Sequence, residues 1–379
     1  MNIPASFFGD LSVEDFLSDY WQKKPLLVRN AWPDFESPLS PEAFMELSSR
    51  EDALSRMIVE KGGSNPWEMR EGPFSRSDFD ETPDSHWTLL IQEVDRLVPE
   101  VRSLLQVVSF LPKWRLDDVM ISYAANGGGV GAHIDNYDVF LLQGLGQRQW
   151  QINTVPVEEE VLVEGIDVSI LADFEPDRDW VLNPGDMLYL PPRVAHFGVA
   201  LGPCMTLSFG CRAPGVLEMV SAVFERALEE LDPIDRYQDP NLTAGSPAGK
   251  ISGEIVSWVK SRVTDLVGDE TALAELVGSI LSEPRRFVEG ASIEDTLDAA
   301  FKKGALRPAT SSQVLYQVNP TGSVQLFAAG EPIVLGAEAL PLVQKLIEGP
   351  GLTSEDLKGE PALADLLEEL YLDGVLVTG

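Results

Sequence analysis

GGGVGAHIDNYDVF, Gly127 to Phe140, decides how this chain is read. Four glycines lead into a histidine, an aspartate follows two positions later, and the whole chain holds only 3 His. Gly127, Gly129 and Ala132 satisfy the G-x-G-x-x-A spacing of a dinucleotide loop, but such a loop must open a helix. Here HIDNYDVFLLQ follows, which reads as a strand. The glycines are better explained as a turn that passes close beside a site. On an extended segment, side chains at i and i+2 share a face, so His133, Asp135 and Tyr137 point the same way. An imidazole and a carboxylate so placed suit two adjacent positions on one metal ion.

A third ligand is needed, and the remaining histidines are His86 and His196. His196 stands in NPGDMLYLPPRVAHFGV, where a Pro-Gly turn, a strand and a Pro-Pro step lead the histidine into another strand. His86, in DETPDSHWTLL, lies outside the strand-rich block and is expected to begin a helix. His133, Asp135 and His196 therefore form the expected set. Two histidines and one carboxylate are the facial triad of non-haem Fe(II) oxygenases, which leaves three positions open. If 2-oxoglutarate takes two of them, its far carboxylate needs a cation. Arg148, on a strand after Asp135 and alternating with Trp150, presents the forked donor that a carboxylate prefers over an ammonium.

Outward from this stretch, DDVMISYA, VFLLQ, QRQWQIN, DMLYL and MTLSFG are short β-rich runs separated by Gly, Pro and Asn. No helical pattern interrupts them before Pro214, so they need no parallel crossovers, and an antiparallel sandwich or jelly roll follows. Upstream, SVEDFLSDYWQ and SPEAFMELSS read as helices with Ser12 and Ser40 as N-caps and Pro41 in the first turn, around the apolar run PLLVRNA. WTLLIQEVDRLVPEVRSLL reads as an amphipathic helix through Leu90, Val94, Leu97 and Val101. Downstream, GVLEMVSAVFERALEELD and ISGEIVSWVKSRVTDLV are helices joined by the linker PIDRYQDPNLTAGSPAGK. The first places Leu217, Val220, Phe224 and Leu231 on overlapping faces, more apolar surface than a linker needs, so a homodimer is expected. From about residue 286, a hairpin around Pro320–Gly322, two helices and a terminal strand suggest a winged-helix-like module. The expected organisation is α+β: a catalytic domain over 1–214, a helical region over 215–285 and the winged-helix-like domain over 286–379.

Three passages together, YWQKKPLLVRNA from Tyr20, GGGVGAHIDNYDVFLLQGLGQRQW, and PGDMLYLPPRVAHFGVA, resemble the JmjC-type 2-oxoglutarate oxygenases. The match is strongest with the ribosomal oxygenase branch and its bacterial ribosomal protein arginyl hydroxylases, over roughly residues 10–215. The resemblance implies a double-stranded β-helix (jelly roll), then a helical dimerisation region and a winged helix. It places His133, Asp135 and His196 on the Fe(II) ligands and Arg148 on the 2-oxoglutarate carboxylate. It implies that O2 and 2-oxoglutarate are consumed to hydroxylate the β-carbon of an arginine in large-subunit ribosomal protein sixteen. In DDVMISYA, Asp118, Met120 and Ser122 alternate onto one face. If that face lines the pocket, Ser122 would touch the co-substrate and Asp118 would hold a cationic side chain, with Tyr137 covering the guanidinium. Thr206 and Ser208 share one face of the strand after His196 and join the co-substrate and substrate contacts respectively.

Composition narrows the alternatives. The formal charge of −33 disfavours a phosphate backbone as partner and fits either solubility or the attraction of a basic protein. From Glu331 onward, ten acidic residues face two lysines, against groove binding by the tail. The 2 Cys cannot frame a disulfide scaffold, and neither a signal-type leader nor a membrane-length apolar run is visible. A cytoplasmic protein is the simplest expectation. Histidyl hydroxylation or lysyl demethylation by the same machinery, or a non-catalytic cupin-like binding protein, are the competing readings.

Overall fold

The computed structural model describes residues 4, 7–62, 67–229, 231–239, 241–244, 249–284, 296–310 and 312–378. The chain divides into two compact units, Met1–Ala213 and Pro214–Gly379.

The first unit carries strands β1 (Leu26–Val28), β2 (Leu54–Glu60), β3 (Trp67–Glu71), β4 (Trp87–Gln92), β5 (Leu116–Ala124), β6 (Asp138–Leu145), β7 (Arg148–Ile152), β8 (Arg178–Leu182), β9 (Met187–Leu190), β10 (His196–Ala200) and β11 (Cys204–Cys211). Its helices are α1 (Val13–Asp19), α2 (Pro41–Leu47), α3 (Arg76–Asp80), α4 (Val94–Leu97) and α5 (Pro99–Ser103). Eight strands form one sheet in the order β1-β9-β6-β11-β5-β4-β2-β3, and three form another, β10-β7-β8. Every pairing is antiparallel. Val139, Leu141, Leu188 and Leu190 of the large sheet pack on Trp150, Ile152 and Leu182 of the small one. This is the jelly roll expected from the alternating runs. The opposite face of the large sheet buries Phe7, Phe8, Phe16, Phe44, Val119, Ile121, Phe140 and Phe209. The helix caps are as read: the Ser12 and Ser40 hydroxyls accept from the Asp15 and Ala43 amides, with Pro41 at the start of α2.

Two local expectations are corrected. The segment from Trp87 is not a long amphipathic helix, because Trp87–Gln92 is β4, held between β2 and β5. A strand buried on both faces reads as a continuous apolar run, which periodicity cannot separate from a helix. Glu93 then turns with φ 53°, and only short helices α4 and α5 follow. His86 accordingly precedes a strand. The second correction concerns the ligand segment, since ladder pairing in β6 begins only at Asp138. His133 instead makes a single antiparallel bridge with His196, through amide–carbonyl bonds of 3.0 and 2.9 Å.

The second unit contains α6 (Val216–Glu229), α7 (Gly253–Val267), α8 (Glu270–Ser282), α9 (Leu297–Phe301), β12 (Leu306–Pro308), β13 (Leu315–Val318), β14 (Val324–Ala328), β15 (Glu331–Leu335), α10 (Leu340–Ile347), α11 (Pro361–Leu372) and β16 (Leu376–Thr378). The hairpin β13–β14 turns where the sequence placed it, and β15 adds a third strand. Helix α8 lies against β14: Gln325 donates to Glu275 at 2.7 Å and the Gly330 amide donates to Ser282. The expected boundary at 285/286, and positions 240 and 245–248 of the linker, lie outside the described residues.

Candidate active site

Between the sheets lies a cavity of about 420 Å³. Its floor is the inner face of the large sheet. Val139 and Leu141 of β6, Ser208 and Gly210 of β11, Asp118, Met120 and Ser122 of β5, and Leu90 and Gln92 of β4 all line it. Each set is spaced by two, as one face of a pleated strand requires.

His133, Asp135 and His196 bring one ligand atom each to within 4.8 Å of one another. The His196 Nε2 stands 3.6 Å from Asp135 Oδ2, and the two imidazole centroids are 4.2 Å apart. Both rings are oriented by backbone. Nδ1 of His133 lies 3.0 Å from the Gly131 carbonyl and Nδ1 of His196 2.9 Å from that of Val194. A carbonyl only accepts, so Nδ1 carries the hydrogen in each and Nε2 keeps its lone pair for the shared point. Burial, aided by His133, pushes the His196 pKa down to about 4, which keeps it neutral as ligation requires. Two imidazole Nε2 atoms and one carboxylate converging on one point fit a divalent metal of the Fe(II) facial-triad type. His86 stays apart from this cluster, with Nδ1 2.8 Å from the Ser85 hydroxyl.

The glycines admit the turn. A Cβ at Gly128 would fall 2.2 Å from the Trp87 carbonyl oxygen, so the approach to the ligands threads a gap only glycine passes. Gly198 on β10 serves the neighbouring ring: a Cβ there would sit 2.8 Å from Trp150, whose indole lies 5.9 Å from His196.

Arg148 is 5% exposed. Its Nη1 donates to the Ser122 hydroxyl at 3.1 Å, and the guanidinium lies over Trp150. Its Nε and Nη2 are buried without a protein acceptor, as is the Trp150 Nε1. A buried cation with orphaned donors is costly unless an anion completes it. The donors face the cavity that holds the triad, so a small carboxylate reaching both is the group that fits.

The remaining sequence candidates separate. Asp118, Met120, Tyr137 and Ser208 line the cavity, and so does Ser122 beside Arg148. Thr206 does not join them. It is 1% exposed and its hydroxyl donates to Gln143 Oε1 at 3.0 Å, so that side chain is already satisfied. Asp118 accepts from the Glu93 amide at 2.8 Å, and burial together with Asp95 and Glu93 pushes its pKa up to about 6. Tyr137, 36% exposed at the mouth, is held neutral by desolvation and by Asp135. Sequence reading missed Arg56 and Ile58 of β2, Met69 of β3, and Asp167, Val168 and Ser169 of the segment between β7 and β8. The alternation in LSRMIVE marked Arg56 and Ile58 as sharing a face, but nothing local said which face. The segment 153–177 carried no signal. It is tied down by the Leu171 amide donating to the Ala132 carbonyl at 2.8 Å, and by Arg193, which donates to the carbonyls of Val157 and Glu158.

Comparison with known proteins agrees with this geometry. Residues 103–219 match the JmjC domain family and residues 265–377 the ROXA-like winged helix. A probable ribosomal oxygenase of Haemophilus influenzae is 33% identical over 85% of this chain and 82% of its own. The ribosomal protein uL16 3-hydroxylase of Escherichia coli is 28% identical over 96% of this chain and 97% of its own. A crystal structure of Escherichia coli YcfD superposes with a TM-score of 0.85 at 27% identity, over 98% of this chain and 99% of that one. YcfD, a ribosomal oxygenase, has also been solved with cobalt and 2-oxoglutarate, at 28% identity, TM-score 0.81, and 97% and 98% coverage. With a JmjC jelly roll, a ROXA-like winged helix and a relative this similar over most of its length, the chain belongs to the ribosomal oxygenase family.

Proposed function

We propose that this protein is an Fe(II)- and 2-oxoglutarate-dependent oxygenase that hydroxylates the β-carbon of an arginine in large-subunit ribosomal protein uL16. The observation that carries the reading is Arg148, a buried guanidinium with orphaned donors facing the cavity that holds a His-Asp-His set. The choice of uL16 follows the Escherichia coli relative, whose name states that substrate.

Bound Fe(II) supplies coupling of 2-oxoglutarate decarboxylation by O2, giving succinate and CO2, to transfer of one oxygen atom into a substrate C–H bond. The chain's own residues do the rest. His133, Asp135 and His196 hold the ion, each histidine oriented through Nδ1. Arg148 and Ser122 take the far carboxylate of 2-oxoglutarate, and Arg148 offers two parallel N–H donors. Trp150, Val139 and Leu141 exclude water around the reacting atoms. Asp118 receives the substrate guanidinium, with Met120 and Ser208 along its aliphatic stem and Tyr137 over its plane. This places a β-carbon, not the charged tip, beside the metal.

The second unit supports a homodimer. Val216 and Leu217 of α6 are each 82% exposed, and α7 exposes Val256, Val259 and Val263 while burying none of its described side chains. Apolar helical faces on this scale mark an association surface. Residues 215–285 are assigned this role, and their last stretch, from 265, is shared with the winged-helix match. A basic ribosomal substrate places the protein in the cytoplasm. Among the described residues no helix is long and apolar enough to cross a membrane. The net charge of −33 suits a basic protein substrate and argues against direct nucleic-acid binding.

Purified protein with Fe(II), 2-oxoglutarate and uL16 should add the mass of one oxygen to uL16, located on an arginine by fragmentation. Modification of a histidine, or loss of a methyl from a lysine, would replace this reading by one of its superfamily alternatives.

A further inference from the structure

We infer that Arg56 reads an acceptor oxygen of the substrate polypeptide, a main-chain carbonyl or a carboxylate flanking the target residue, and so selects which peptide segment the cavity accepts. The inference rests on the reading of the cavity as a site for a polypeptide arginine.

Arg56 lies on β2, on the floor that continues outward from the metal site. In the large sheet, β4, β2 and β3 extend beyond β5, and they bring Leu90, Gln92, Arg56, Ile58 and Met69 to the same cavity. With neighbouring strands about 4.8 Å apart, β2 lies roughly 10 Å from β5, about the span of three residues of an extended peptide. A chain whose target side chain enters between Asp118 and Tyr137 thus passes within reach of Arg56.

Its electrostatic position is unusual among the half-buried arginines, where Arg70, Arg96, Arg115, Arg193 and Arg226 all have partners. Lys and Arg number 28 against 61 Asp and Glu, yet among the described residues the half-buried Arg56 guanidinium forms no hydrogen bond or ion pair. Glu71 is its register partner across β3, and no ion pair joins them. Asp118 is no partner either, since the charges acting on it are those of Asp95 and Glu93. An arginine in the mouth of a cavity built to receive a cation repels that cation. It aids binding only if the same ligand also presents an acceptor, and a polypeptide always does. A forked guanidinium that lines the cavity with Ile58, Met69 and Leu90 and is partly withdrawn from water would bond such an oxygen.

The test compares full-length wild type, Arg56→Met and Arg56→Lys with arginine-containing uL16 peptides, measuring turnover and peptide affinity. Arg56→Met keeps the length and apolar stem but removes the donors. It should raise the peptide KM and Kd by about tenfold, the loss expected of one charge-assisted hydrogen bond. The KM for 2-oxoglutarate and the peptide-independent 2-oxoglutarate turnover should not move. Arg56→Lys should recover part of the loss. Replacing acidic residues beside the target with their amides identifies the source. If the Arg56→Met effect vanishes with them, the oxygen is a carboxylate; if it persists, it is a main-chain carbonyl. Equal peptide affinity in wild type and Arg56→Met overturns the inference, as does a parallel rise in the KM for 2-oxoglutarate. Wild type that leaves uL16 unmodified rejects the functional reading alone, because the Kd ratio still reports on Arg56. Wild type that also binds no peptide rejects both.

Discussion

The two units are most usefully compared through a buried cation in one and exposed apolar helix faces in the other. The jelly roll buries polar groups without partners, in Arg148 and the Trp150 indole N–H, deep against a metal-competent triad. The C-terminal unit exposes apolar groups without partners, along α6 and α7. A buried unpaired donor is satisfied by a small anion that brings its own charge into a dry space. An exposed apolar face is satisfied by another protein surface, since removing it from water is the gain. A cavity suited to a small anion is thus distinct from helix faces suited to a protein surface.

The contrast breaks most sharply at the metal. His133→Ala, Asp135→Ala or His196→Ala is expected to lower 2-oxoglutarate turnover by a factor on the order of a thousand or more, because each leaves the ion too few ligands. Circular dichroism should show the jelly roll retained, as the three side chains line a cavity rather than fill the core. A variant with wild-type turnover would remove that residue from the ligand set. His86→Ala, by comparison, should leave turnover nearly unchanged.

Arg148→Ala should raise the KM for 2-oxoglutarate at least tenfold, since a charge-assisted hydrogen bond contributes about 1.5–3 kcal/mol. Arg148→Met, which fills the space without the charge, should show the same KM and higher thermal stability than Arg148→Ala. If Arg148→Met restored the KM, the donors would not be what 2-oxoglutarate meets.

Replacing Leu217 and Val256 together with Glu tests the assembly side. Light scattering should show the mass fall by half, with 2-oxoglutarate turnover kept. Wild type that is already monomeric at micromolar concentration would leave the exposed faces needing another partner.

The smallest effect expected is a pH dependence. Burial pushes the Asp118 pKa from the ordinary 3.8 up to about 6, so lowering the pH through 6 removes the charge proposed to receive the substrate cation. The peptide KM should rise by a few-fold toward pH ~5, the range set by a group titrating near 6, while the KM for 2-oxoglutarate stays level. Asp118→Asn should have the high KM at every pH. For stability the sign is reversed. The folded state binds the extra proton between about 4 and 6, so this carboxyl's contribution declines as pH rises through that window. A flat peptide KM in wild type would take Asp118 out of substrate recognition.

How much of this was legible depended on whether the signal was local. The caps at Ser12 and Ser40 and the hairpin after Val318 are short-range and lie where the residues placed them, and His133 and Asp135 converge as their spacing suggested although ladder pairing starts only at Asp138. Thr206 shows the limit. It shares a strand face with Ser208, but Gln143 on β6 takes its hydroxyl, and a cross-strand partner is invisible along one strand. Trp87–Gln92 failed for a related reason, since burial on both faces erases the alternation that distinguishes strand from helix.

The sequence by itself determined the chemistry available: three candidate metal-ligating side chains, one forked cation suited to a carboxylate, and strand runs with no helix-length crossover between them. Tertiary structure alone decided which of those groups share a space. Pairing His133 with His196 across a bridge, turning Arg148 inward over Trp150, and laying β2 beside β4 so that Arg56 enters the same cavity are contacts between distant segments. Register and sheet order create them, and a strand carries its alternation but not the identity of its neighbour.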